Sequence, residues 1–536
     1  MAQWQNDLES KTAPWLMYEK ALSHSARAEL DDKISRCVDF FEGRQWASAT
    51  ESTKNLPRPV VNIVKMICRS KKASLLSSPL KLHYKSYTQG INVSRLNAFA
   101  RCLLSELGES ALDRLALDDA IKKGSCFYHY YWDSTTLSLT GKRQGSVRCE
   151  IIDPLCIFFE NPAQLDEQKQ KWIIISTKLE PSEASLIADS PISLSLLDED
   201  TDENGLVTVL TRYFRQNGEV YFEKVSKTHV LCAPKRLSPL SSKDGVSACT
   251  LYPVVCGYYE KKEGSIYGIS EVEGLIPNQK AINFNIAMSL LNAQECAWGK
   301  YIALPGALKG QKISNVPGQV LIDHTGTGDG IKKMRDSALS TVPMSISDDL
   351  ISITRSITGA TEIFSGEALS SNMSGTAIAQ LQAQAQLPIE DLRNELIEIK
   401  RKQGLVLAQF IKLYFYAKEF IVTEQDQSGT RQVLDLFYSS DYASSLLDVV
   451  VEVTNSSRAT VSSDISFLNS CLGTGCISLE TYIKAYPDCA ISNKAELLAH
   501  LQEQRGSELE ALIKENYELK QKLTQNGKSL INSFEP

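Results

Sequence analysis

The chain has 536 residues, of which 43% are hydrophobic and 23% charged, and its formal net charge is −7. That composition excludes disorder as the main state, and at roughly 150 residues per domain the length suggests three or four units. No apolar run approaches the roughly 20 residues of a membrane-spanning helix, and the stretch Met1 to Glu9, with its early acids, is no secretory signal.

Residues 12–48 carry helical periodicity through Ile34, Val38 and Phe41, and lead into Phe40-Phe41-Glu42-Gly43-Arg44-Gln45-Trp46. Pro57 and Pro59 open a segment with Val61, Val64, Cys68 and Leu75 on one helical face and Lys65, Arg69 and Lys72 on another. Pro79 stops it, and Leu80 to Tyr87 alternates like a strand. From Ser52 to Ser105 there is no acid and ten Lys or Arg residues, so this stretch carries +10 and the remainder −17. Such a run is either a solvated face or a surface facing an acidic neighbour, whether nucleic acid or another copy. Residues 93–123 read as a further helix. From Cys126 to Val255 short strands follow, such as Phe127–Tyr131, Trp172–Ser176 and Val207–Thr211, separated by turn signals.

Residues 275–298 return to helix, with Pro277 in the first turn. Between Asn278 and Trp298 only Lys280 and Glu295 are charged, which suits the interior of a large domain or packing against identical neighbours. Residues 299–340 hold seven glycines between Gly299 and Gly330, with a short strand plausible at Gln319–Ile322. Ser347-Asp348-Asp349 caps a helix with Leu350, Ile353 and Ile357 inward, ending near Gly359. The Gly/Ser-rich stretch Ser365 to Gly375 precedes a helical pattern from Thr376 to about Lys418. That helix would span roughly 65 Å, with a kink at Pro388, and is too long for one small domain to cover. Strands are expected around 432–438 and 447–454. The last eighty residues read as helical, with a capping box at Asn493 and Glu496, and Leu509, Leu512, Asn516, Leu519 and Leu523 in a short 3-4-3-4 pattern.

Enzyme signatures are missing. Asn526-Gly527-Lys528-Ser529 ends like a P-loop, but Lys522 stands where its first glycine belongs. No G-x-S-x-G or H-E-x-x-H occurs, and the six histidines lack ligand spacing. Gly326 to Gly330 reads as a flexible turn. Asp200-Thr201-Asp202-Glu203-Asn204-Gly205 matches half an EF-hand loop, but Thr211 replaces the bidentate glutamate, so an acidic hairpin turn is the better reading than calcium. The thirteen cysteines contain no C-x-x-C pair and read as reduced thiols of a chain made in a cytoplasm. No metal, cofactor or catalytic residue is expected.

The order of these textures resembles the portal proteins of tailed bacteriophages. The resemblance rests on Phe41-Glu42-Gly43-Arg44-Gln45-Trp46, Pro59-Val60-Val61-Asn62-Ile63-Val64, Gly274 to Asn283, and Ser374-Gly375-Thr376-Ala377-Ile378, and covers most of 35–420. It implies an α+β subunit of a ring of about twelve copies at one capsid vertex. Double-stranded DNA would pass through the ring axis during packaging and ejection, without sequence-specific contacts. In this frame 1–34 is an N-terminal arm, 35–262 the first part of a wing, 263–298 the first stem helix, and 299–344 a clip. Residues 345–359 are the second stem helix, 360–375 a channel loop, 376–455 the long wing helix with closing strands, and 456–536 a helical crown. Lys280 and Asn283 would belong to the stem and channel wall. Gly306, Lys309, Gly310, Lys312, Pro317 and Gly318 would form the clip docking surface. Gly366, Glu367, Ala368, Leu369, Ser370, Ser371, Asn372, Met373 and Ser374 would form the loop at the narrowest point. Implied partners are the terminase large subunit, the major capsid protein or a scaffold, and head–tail adaptor or neck proteins, in the virion and with no membrane. The alternative is a DNA-binding assembly or scaffolding factor that uses the basic 52–105 segment.

Overall fold

The structure is a computed structural model. It describes residues 11–54, 56–137, 141, 143–239, 248–297, 301–314, 320–326, 328–333, 340–359, 375–415, 417–426, 429–453 and 458–486, with Leu497 and His500. The architecture is α+β, as expected.

Two helices, α1 (Ala13–Leu22) and α2 (Ser25–Glu42), stand where one was expected. Helix α3 (Ile63–Leu76) starts after Asn62, whose side chain accepts from the Lys65 N–H at 2.9 Å. Its buried face holds Val64, Cys68 and Leu75, but Val61 lies ahead of the helix and is exposed. Strand β1 (Leu80–Ser86) follows. The segment 93–123 is then split at Gly108, in the left-handed region at φ 66°, into α4 (Val93–Leu107) and α5 (Glu109–Lys123).

Strands β2 (Ser125–Asp133), β3 (Ser146–Ile152), β4 (Ile157–Phe159) and β5 (Trp172–Leu179) come next, then short helices α6 (Pro181–Ile187) and α7 (Leu194–Asp198). Strands β6 (Val207–Gln216), β7 (Glu219–Val225), β8 (Val230–Arg236), β9 (Val254–Tyr258), β10 (Glu260–Lys262) and β11 (Ser265–Ile269) complete this region. An antiparallel sheet of order β4-β5-β6-β7-β8 lies beside a three-stranded sheet of order β3-β2-β9. Ile173, Ile175 and Tyr213 on one face of the larger sheet pack with Phe127 and Val254 of the smaller one. On the opposite face Phe158, Ile174 and Leu210 are covered by Trp15, Met17 and Tyr18 of α1.

Helix α8 (Glu271–Ala297) starts earlier than expected, so Pro277 lies inside it rather than in its first turn. The pair β12 (Tyr301–Ala303) and β13 (Ile331–Lys333) closes the excursion that follows, and 320–322 are not a strand. Helix α9 (Val342–Ile357) begins five residues before the expected Ser347 cap. Helix α10 (Gly375–Tyr414) extends 40 residues, about 60 Å, and ends four residues before the expected Lys418. It is followed by the hairpin β14 (Lys418–Asp426) and β15 (Gly429–Phe437), then β16 (Leu447–Val453), α11 (Arg458–Gly473) and α12 (Leu479–Ala485).

The largest core joins α2–α5 to the end of α10. Phe99 stacks on Phe437 at 3.9 Å and meets Phe415 and Phe420 edge-on. Strand β16 returns to pair antiparallel with β1, more than 350 residues earlier, so the chain closes on itself. Helix α10 crosses this pair at Gly404, where an added Cβ would lie 2.6 Å from Val449 Cγ1 and 2.7 Å from Leu82 Cδ1. Any larger residue there would force Val449 and Leu82 to shift.

Candidate functional site

The helical hairpin α8–α9 and the excursion between them hold most of the described candidate residues. The hairpin is tied to the body by polar groups. Gln279 Oε1 accepts from the N–H groups of Ile63 (3.0 Å) and Val64 (3.3 Å), donors at the start of α3 that have no acceptor within the helix. Its Nε2 donates to Val61 O at 2.7 Å and Asn283 Oδ1 at 3.0 Å. Asn283 Oδ1 also accepts from the Val61 N–H, and Nδ2 donates to Gln45 Oε1 at 2.6 Å. Asn283, expected at the stem and channel wall, is 2% exposed. Within one chain it acts as a packing residue that joins Gln45, Val61 and Gln279. Lys280 is exposed, with its ammonium 5.5 Å from the Phe40 ring centre.

About two turns upstream along α8, Lys71 Nζ lies 2.6 Å from Glu271 Oε1 and 3.1 Å from the Tyr259 hydroxyl, which donates to Glu271 Oε2 at 2.7 Å. Burial, with the Glu271 carboxylate beside it, pushes the Tyr259 pKa far up. The cluster fixes the N-terminus of α8, where a carboxylate also complements the helix dipole.

Small polar residues fill the contact between α8 and α9. Asn278 Nδ2 donates to Thr354 Oγ1 at 3.1 Å, and Ser347 and Thr354 are buried, their hydroxyls returned to Pro343 O and Leu350 O. Leu350 and Ile351 of α9 pack against the main core, while other large apolar side chains point away. Val342, Ile346, Ile353 (52% exposed) and Ile357 (75% exposed) lie at 4-7-4 spacing along α9, and Phe284, Met288 and Leu290 are exposed on α8. Ile353 and Ile357 were expected inward; within a single chain they are outward.

In the excursion, Gly306 (φ 84°), Lys309 (φ 38°) and Gly310 (φ 88°) make left-handed turns around the buried Ala307. Asp323 accepts from the hydroxyl and N–H of Thr325 and from the Gly330 N–H, which together hold its carboxyl below the usual range. That carboxylate organises the turn expected near 326–330. Lys309, Gly310 and Lys312 are exposed, and exposed Ile302, Leu304, Ile313 and Ile322 accompany them. Pro317, Gly318 and the whole loop Gly366–Ser374 lie outside the described residues, as does most of the expected crown.

The basic 52–105 run is partly spent within the chain. Lys65 pairs with Glu42 at 3.7 Å, Lys72 with Asp118 at 2.7 Å and Arg95 with Asp435 at 2.7 Å, and Lys71 is the buried partner of Glu271. Of the expected Lys65–Arg69–Lys72 face, only Arg69 keeps its charge unpaired among the described residues. In the EF-hand-like stretch, Asp200 accepts from the Ser226 and Thr228 hydroxyls and the Thr228 N–H, and Asp202 pairs with Lys178 at 2.7 Å. Both carboxylates are structural in a hairpin turn. Among the described residues no cluster of three His, Cys, Asp or Glu could hold a metal, and no helix is long and apolar enough to cross a membrane.

Sequence reasoning missed Gln279 as the cap of α3 and Val342 and Ile346 as members of the exposed stripe. Two amides four apart in a charge-poor helix, Gln279 and Asn283, were the available signal for the first. The 4-7-4 apolar spacing was the signal for the second.

The α8–α9 hairpin thus exposes several large apolar side chains next to a turn-rich insert, on an α+β body. The family model of the phage P22-like portal protein matches residues 176–461, more than half of the chain. The chain belongs to the P22-like portal protein family. Among solved structures, a chain from the neck of a native GTA particle, computed with C12 symmetry, is similar at a TM-score of 0.35 and 8% identity. That match covers 78% of this chain and 87% of the other. No curated protein matches the chain.

Proposed function

We propose that the chain forms a closed ring of about twelve copies at one capsid vertex, the conduit for double-stranded DNA during packaging and ejection. The observation that carries this is the exposed apolar stripe on α9 beside the exposed apolar residues of α8, on a hairpin that packs its own helices through small polar residues. A stripe of that kind, repeated head-to-tail with the right rotation, closes into a ring. In this reading the body is the wing, α8 and α9 are the stem, and 299–344 is the clip. The clip's exposed loops would take the terminase large subunit and later the head–tail adaptor or neck proteins, and the wing would face the major capsid protein or scaffold. No catalytic step is assigned to the chain; the packaging motor is a separate protein. The in-chain ion pairs of Lys65, Lys71, Lys72 and Arg95 weigh against a DNA-binding factor built on the 52–105 run. A sliding duplex also requires few phosphate contacts, because each one adds affinity and salt dependence.

Native mass spectrometry tests the ring. Twelve copies of 59.4 kDa give about 713 kDa, and monomer alone across a wide concentration range refutes the reading. The loop 360–375 is proposed to meet DNA, with Glu367 its only charge between Ser365 and Ser374. Glu367→Lys with Asn372→Lys should leave rings intact and slow packaging, with relief as salt rises. Packaging equal to wild type at low salt would remove the loop from the channel.

A further inference from the structure

Helix α11 ends in a defined turn. Gly475 sits in the left-handed region at φ 71°, its N–H donates to Leu472 O at 3.1 Å, and the Cys476 N–H donates to Cys471 O at 3.0 Å. These are the two hydrogen bonds of a Schellman motif, in which the residues at the ends of the wider bond commonly bring their side chains into contact. Here both of those residues are cysteines. The Cys476 N–H···O Cys471 bond holds the two main chains against each other, and a disulfide needs Cα atoms roughly 4.4–6.8 Å apart.

Accessibility separates these two thiols from most of the others. Cys476 is exposed and Cys471 half-buried, and the Thr474 hydroxyl donates to Cys476 Sγ at 3.3 Å. Burial pushes Cys37 up to about 11 and Cys68, Cys149 and Cys249 up to about 12, which keeps them as inert thiols. Cys126 and Cys256 are fully enclosed.

We propose that Cys471 and Cys476 form a reversible disulfide that staples the end of α11 to the turn leading into α12, driven by a small-molecule disulfide as oxidant. The Cys476 thiolate attacks one sulfur of the oxidant and expels the first thiolate. Cys471 then attacks Cys476 Sγ in the mixed disulfide and expels the second. Two protein thiols are oxidised, the oxidant is reduced to two thiols, and the two thiol protons pass to the departing thiolates. In a reducing cytoplasm the pair stays open, and outside it the pair closes.

The test uses the full-length chain in glutathione buffers with a rising oxidised fraction, followed by acid quench, alkylation and peptide mapping. The expected product is an internal 471–476 link, two hydrogens lighter than the dithiol peptide. Gly475→Ala disfavours the left-handed turn, so closure should fall roughly tenfold relative to glutathione adduct formation. Cys471→Ser should leave Cys476 as the glutathione adduct. Glutathione on both sulfurs without a link would overturn the proposal, as would linkage to Cys489 or to another chain. Closure unchanged in Gly475→Ala would overturn it too, because the turn would then not be what brings the sulfurs together.

Discussion

The body and the α8–α9 hairpin handle apolar side chains in opposite ways. In the body, Phe99, Phe415, Phe420 and Phe437 are enclosed by the chain's own elements, and charges brought inside are paired: Lys400 reaches Glu109 at 2.6 Å and Asp113 at 2.7 Å. In the hairpin, Ser347 and Thr354 occupy the contact while Ile346, Ile353 and Ile357 face outward. A self-sufficient domain retains its largest apolar groups, because each fully buried one contributes roughly 1.5–3 kcal/mol. A hairpin that presents them along one stripe is stabilised by something other than itself. In the proposed ring, the same residue types would report folding in one region and assembly in the other.

The sharpest way to break this comparison is Ile346→Asp combined with Ile353→Asp. If the stripe is covered by a second copy, each substitution buries an unpaired carboxylate in that interface, which is strongly unfavourable. Light scattering should then find monomer at concentrations where wild type is a ring, with an unchanged circular dichroism spectrum. Rings of wild-type size would mean that the stripe is not an interface.

The next effect separates Asn283 from Lys280. Asn283→Ala removes partners from Gln45, Val61 and Gln279 at a buried site and should cost about 3 kcal/mol, read as a lower denaturant midpoint. Lys280→Ala should leave the midpoint within about 0.5 kcal/mol, because the side chain is exposed. Equal losses would show that Lys280 is held as tightly as Asn283.

These cases also mark how far the sequence could be read. Element types were legible where periodicity and punctuation agreed: the strands at 127–131, 172–176 and 207–211, the stop at Pro79, and the long helix after Gly375 all stand. Boundaries failed where a single residue competed with the pattern. Pro277 looked like a helix start, yet α8 begins six residues earlier, at Glu271. The split at Gly108 was hidden because helical periodicity continues on both sides of it. The inward face given to Ile353 and Ile357 was wrong within the chain for a physical reason. Periodicity identifies an apolar face but does not say whether the same chain or another copy covers it. The in-chain role of Asn283 could not be read from its surroundings in sequence, because two of its partners lie 222 and 238 residues away.

Gly404 tests the body's side of the comparison. Gly404→Val places methyl groups against Val449 and Leu82, where even a single Cβ is too close. Overpacking of that kind should cost about 2 kcal/mol and separate the β1–β16 pair from α10. Hydrogen exchange at 80–86 and 447–453 should speed up while ring size stays unchanged. A shift in ring size instead would couple this crossing to the stem.

The smallest expected effect lies in the β-rich part of the body and depends on pH. Burial alone would raise the Asp200 carboxyl, but the hydrogen bonds donated by Ser226 and Thr228 outweigh it and hold the pKa below its ordinary value. A carboxyl depressed in the folded state contributes stability above its unfolded pKa of about 4, and loses it as pH falls through the folded value. Asp200→Asn replaces that acceptor with a neutral amide, so it should cost about 1–2 kcal/mol at pH 7. The gap to wild type should then narrow as pH drops below about 4, because the wild-type carboxyl becomes neutral as well. Denaturant midpoints at pH 7 and pH 3 measure this directly. A gap that stays constant across that interval would mean the cost comes from the amide's fit in the turn, and that the charge on Asp200 adds nothing to the fold.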